Sequence, residues 1–97
     1  MEEQKHILDI LIEKIKHNLE GMLSHKVEVY LAMDENDNEL LAIKDGDKEQ
    51  GLDLSQIVKS YAVFRIFQTN SEEEALEKLA ENLSISIKSL LEDKKES

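Results

Sequence analysis

Apolar residues recur along this chain with two periods, and the switches between them divide it into elements. Between Glu2 and about Leu23, residues Leu8, Leu11, Ile12, Ile15, Leu19, Met22 and Leu23 fall three or four apart. That spacing stacks them on one face of a helix. Gly21 offers a left-handed cap, but Met22 and Leu23 keep the period, so one more turn is predicted. From Lys26 to Met33 the period is two, with Val27, Val29, Leu31 and Met33 on one side and Lys26, Glu28, Tyr30 and Ala32 on the other. This predicts a strand with one buried face. Asp34 to Asn38 is turn chemistry, because Asn and Asp tolerate left-handed backbone and bond locally. Glu39 to Lys44 reads as a second strand, giving an antiparallel hairpin, and Asp45 through Gly51 reads as a polar loop.

Leu52 to Gln68 carries conflicting signals. Asp53-Leu54-Ser55-Gln56 has the form of a capping box, with Leu54, Ile57, Val58, Tyr61 and Phe64 at helical spacing behind it. The run from Tyr61 to Phe67 is nevertheless aromatic and β-branched, which leaves a third antiparallel strand at 61–67 as the alternative. Connectivity favours one helix, since no Gly, Pro, Asn or Asp separates Leu54 from Thr69. On that helix Val63, Ile66 and Phe67 lie off the main stripe, so it is apolar almost all round. Such helices sit inside a core or bury their second face in a partner. Ser71-Glu72-Glu73-Glu74 is a capping box for the last helix, whose apolar face is Leu76, Leu79, Ala80, Leu83, Ile87, Leu90 and Leu91. The expected architecture is a small two-layer α+β domain, helix–β-hairpin–helix–helix, with the helices covering one face of the sheet.

At 97 residues the chain is read as a single domain, and no cysteine is present for disulfides, thiolate chemistry or Cys-based zinc sites. The lack of disulfides, and a mixed-charge start without a long apolar core, point to the cytoplasm. No run approaches the length of a membrane span.

Charge changes the picture more than composition does. The net charge is −10, and 35% of residues are charged. From Asp34 to Asp53 there are eight acids against two lysines, and from Glu72 to Glu81 five against Lys78. This field repels nucleic acid and anionic membrane and attracts basic protein surfaces. Leu54 to Asn70, by contrast, holds Lys59 and Arg65 and no acid.

The candidate chemistry is sparse. Glu13 and His17 stand one helical turn apart, but His6 is about 16 Å further along the axis and completes no metal site. His25 sits at the junction of helix and strand. Asp34-x-Asn36-x-Asn38 resembles the opening of a calcium loop, yet its sixth position is Glu39, where glycine is needed, and its twelfth is Asp45, where glutamate is needed. No metal site and no cofactor is therefore expected. No nucleophile elbow or glycine-rich phosphate loop is present, and the carboxylates carry no sign of divergent pKa values, so no catalytic residues are assigned.

The leading expectation is a non-enzymatic acidic module that occupies a basic surface of a partner protein, in its sharpest form one that otherwise holds nucleic acid. Asp34, Glu35, Asp37, Asp45, Asp47, Glu49, Asp53, Glu72 and Glu73 are the predicted contact residues. The alternative is a subunit that self-associates, as a homodimer, through Tyr61, Val63, Phe64, Ile66 and Phe67, with the acid serving solubility. A weak calcium-responsive module or small enzyme is the third reading.

Overall fold

In the computed structural model, which describes the backbone of residues 2–96 and the side chains of 6–92, helices cover one face of a three-stranded antiparallel sheet. The order is α1 (Glu2–Leu23), β1 (Glu28–Met33), β2 (Glu39–Asp45), β3 (Lys48–Asp53), α2 (Leu54–Val63), a π-helical turn (Phe64–Gln68) and α3 (Glu72–Glu96). The α+β class and the helical pattern at both ends of the chain are as the sequence predicts.

One core joins the two layers. Leu11, Ile15 and Leu19 of α1 are buried against Leu76, Leu79, Ala80, Ile87 and Leu91 of α3, and Leu41 and Ile43 of β2 lie beneath them. Ala75, Ala80 and Ser84 are small, which allows the long helices to approach closely. α1 ends at Ser24 and not at Gly21. Ser24 takes a φ of 63° and its N–H donates to the Glu20 carbonyl at 2.9 Å. The Glu20 carboxylate then accepts from the Val27 N–H at 3.2 Å, tying the helix end to the start of the sheet.

The helix favoured by connectivity forms, and the alternative strand at 61–67 does not: these residues run from α2 into the π-helical turn, because nothing between Leu54 and Thr69 interrupts the helix. One expectation is corrected. The third strand instead occupies Lys48–Asp53, inside the stretch read as polar loop. A two-residue turn at Gly46-Asp47 reverses the chain, and Gly46 takes a φ of 64°, the left-handed value that suits glycine at the first position of such a turn. β3 then pairs with β2 from Asp45↔Lys48 to Leu40↔Asp53. Its only large apolar side chain is Leu52, opposite Leu41, so the backbone ladder and not a hydrophobic stripe makes it a strand.

The predicted burial alternation of β1 holds only through Val29; beyond it Leu31 and Met33 are exposed while Ala32 is half-buried. Val27 is buried, Leu31 is 41% exposed and Met33 is 62% exposed. Register explains the gradient. Val29 pairs with the buried Ile43, whereas Met33 pairs with the exposed Glu39 beside the hairpin tip.

A candidate docking groove

The sheet has two ends of different character. At one end the Gly46-Asp47 turn meets the C-terminal ends of both long helices: His25, just after α1, bonds Asp45 at 2.8 Å, and Lys48 Nζ donates to the Leu91 carbonyl of α3 at 3.5 Å. At the other end lie the β1–β2 tip and the N-terminal portions of α1, α2 and α3. The two turns are separated by the length of β2, roughly 20 Å. The acidic stretch from Asp34 to Asp53 is therefore split: Asp34, Glu35, Asp37 and Asp53 are at the tip end, and Asp45, Asp47 and Glu49 are at the far end.

Several of these carboxylates are already engaged within the fold. Asp34 is the hub of the tip: its Oδ1 accepts from the Asn36 and Asn38 N–H groups at 2.8 and 3.0 Å, and its Oδ2 from the Asn38 side-chain amide at 3.2 Å. Those donors, Asn38 foremost, hold the Asp34 carboxyl below its ordinary value. The resemblance to a calcium loop ends here, because the oxygens that would face an ion face the loop's own N–H groups. Asp53 caps α2, accepting from the Ser55 N–H at 3.0 Å and the Ser55 hydroxyl at 2.8 Å. Ser71 does the same for α3, its Oγ accepting from the Glu74 N–H at 3.1 Å, while Glu74 accepts in return from the Asn70 N–H at 3.0 Å. His6 and His17 lie exposed on α1, and among the described residues no group of three His, Asp or Glu is placed to hold a metal.

The tip end contains a feature that the sequence did not reveal, an open groove of about 910 Å³. Its apolar wall is built by Ile7, Leu8 and Leu11 of α1, Leu31 of β1, and Leu54 and Ile57 of α2, with Tyr61 and Leu76 completing it. Asp37, Glu39 and Asp53 line its rim, and Lys59 stands at the α2 lip. Glu72 acts on the same region: burial first, and then the nearby Glu72 charge, raise the Tyr61 hydroxyl above its ordinary pKa, with Arg65 opposing. Of the predicted contact residues, the fold thus gathers Asp37 and Asp53 around one concave surface, with the Glu72 charge felt at Tyr61 on its wall, and leaves Asp45, Asp47 and Glu49 apart from it. The groove arises from Leu8 and Leu31, which in sequence read as ordinary core positions, together with Ile7, which the apolar stripe of α1 did not include.

Adjoining the groove is a convex surface. The inner face of α2 and the π-helical turn that continues it, Leu54, Ile57, Tyr61 and Phe64, packs on the core. Its outer face carries Val58, Val63, Ile66 and Phe67, the last two 70% and 77% exposed. Of the residues predicted to mediate self-association, Tyr61 and Phe64 therefore face inward, whereas Val63, Ile66 and Phe67 face out. Ile66 and Phe67 belong to the π-helical turn, which Thr69 closes by donating its hydroxyl to the Phe64 carbonyl at 2.9 Å.

Among the described residues no helix is long and apolar enough to cross a membrane. Compared with protein-family models, curated proteins and solved structures, the chain matches none.

Proposed function

We propose that this domain is a non-enzymatic protein-docking module whose contact site is the groove at the hairpin tip, and that it accepts an apolar segment carrying positive charge. The observation that supports this reading most is the joining of an apolar floor to a rim of Asp37, Glu39 and Asp53. An apolar contact supplies affinity once desolvated, and opposed charge at its edge speeds encounter and selects the partner. This narrows the expectation of a basic partner surface: the tip end makes the contact, and the Asp45–Glu49 end contributes to the overall field. A cytoplasmic setting, suggested by the absence of cysteine, belongs to the same reading.

Two synthetic amphipathic helices with the same leucine pattern test it, one with lysine and one with glutamate at every polar position. Calorimetric titration is expected to find binding by the lysine peptide that weakens as salt is raised, and none by the glutamate peptide. Equal binding of both peptides, or of neither, overturns the reading.

A further inference from the structure

The groove and the convex face of α2 share an edge, at Val58 and Lys59. The convex face is also what the groove would accept. It is apolar through Val63, Ile66 and Phe67, and it belongs to the stretch from Leu54 to Asn70 that has two basic residues and no acid. Two chains of net charge −10 repel over most of their surfaces, and this stretch is the part of each that the acidic rim of another attracts.

We infer that the occupant of the groove is a second copy of this chain: Ile66 and Phe67 of one copy enter the groove of the other, with Lys59 and Arg65 beside Asp37 and Glu39 of the receiving copy. The inference rests on the reading of the groove as a docking site. Because ridge and groove adjoin along α2, a twofold axis beside that helix makes the exchange reciprocal, and each copy both inserts a ridge and receives one. Such a contact is closed and self-complementary, so it stops at the dimer.

Sedimentation over micromolar to millimolar concentrations is expected to show a reversible species of twice the 11.2 kDa chain mass. Phe67→Asp, at an exposed position, is expected to weaken dimerisation by roughly a thousandfold, about thirtyfold for each of the two buried aromatic anchors that the symmetric dimer loses. Leu31→Asp removes the groove side and weakens it comparably. Glu39→Lys does so through charge alone, at an exposed site that bears no core packing, and melting curves establish that each variant is folded. The reciprocal arrangement makes a sharper demand. Phe67→Asp keeps an intact groove and Leu31→Asp an intact ridge, so mixing the two restores a heterodimer through one good contact.

A wild-type chain that stays monomeric throughout overturns the inference. So does dimerisation unaffected by Leu31→Asp and Glu39→Lys, or a mixture that regains nothing. The underlying groove reading fails separately: monomeric Phe67→Asp has a vacant groove, and its failure to bind the lysine peptide overturns that reading, whereas a monomeric wild type that binds the peptide leaves it standing.

Discussion

Replacing Ser84 with alanine is expected to stabilise the fold, an unusual outcome for a substitution at the centre of a core. Ser84 is 0% exposed, and its Oγ has no hydrogen-bond partner among the described residues. It sits on the face of α3 that meets α1, between Ala80 and Ile87. In the unfolded chain the hydroxyl bonds to water, so burying it unpaired costs about 1–3 kcal/mol. Alanine removes that cost and is also the better helix former, by a few tenths of a kcal/mol. Against this stands the loss of one small atom's packing, on the order of 1 kcal/mol when the void does not close. The net expectation is a gain of about 1 kcal/mol, which for a domain of this size raises Tm by roughly 4–8 °C. Thermal melting followed by circular dichroism measures it, with urea unfolding as a second estimate of the same difference. Ser84→Val serves as the contrast, since added volume at a close helix–helix approach is expected to destabilise. A drop in stability for Ser84→Ala refutes the reasoning, because it would mean that the hydroxyl has a partner worth more than its desolvation.

Three further predictions follow from local geometry. Asp34 has a lowered folded pKa, so its contribution is present above the ordinary aspartate value of 3.8 and is lost as pH falls through the folded value. Asp34→Ala is expected to reduce stability at neutral pH and to flatten that acid limb in pH-dependent urea unfolding; an unchanged acid limb contradicts the role of the carboxylate. Tyr61 titrates above its ordinary value of 10.0, so stability falls as pH rises from there through the folded value. In a Tyr30→Phe background the absorbance titration reports Tyr61 alone, and Glu72→Gln is expected to lower its midpoint; no movement would remove Glu72 from the groove's surroundings. Gly46→Ala forces an alanine to a φ of 64° at the β2–β3 turn and is expected to cost about 1 kcal/mol, read as a lower urea midpoint. No loss there would mean that the turn has no need of a left-handed residue.

The parts of the fold that were legible in sequence are those in which side-chain burial drives an element. The 3–4 spacing through Leu11, Ile15 and Leu19 marks α1, and Ser71 with Glu74 marks the start of α3 before any apolar residue is reached. β3 was illegible for the opposite reason. Lys48, Gln50 and Leu52 make only a half-polar inner face, and an edge strand fixed by its ladder and a glycine turn leaves no period to detect. At 61–67 local β propensity competed with helical continuity, and continuity prevailed at the cost of a widened turn. The groove was hidden because Leu31 has the pattern of a core residue, and its 41% exposure is a property of how the elements pack and not of its place in the alternation. Charge was legible in amount but not in place. The sequence joins Asp34 to Asp53, while the sheet separates that stretch by the length of β2.

Docking at the tip-end groove, and nowhere else on the acidic surface, is tested by methyl chemical-shift mapping during titration of the Phe67→Asp chain with the lysine peptide. Shifts are expected to concentrate at Ile7, Leu8, Leu31, Leu54 and Ile57, with Leu40 on the open face of the sheet and Ile85 on α3 unmoved. Shifts centred on Ile85 or Leu40, or backbone amide changes confined to the Asp45–Glu49 end, would contradict it.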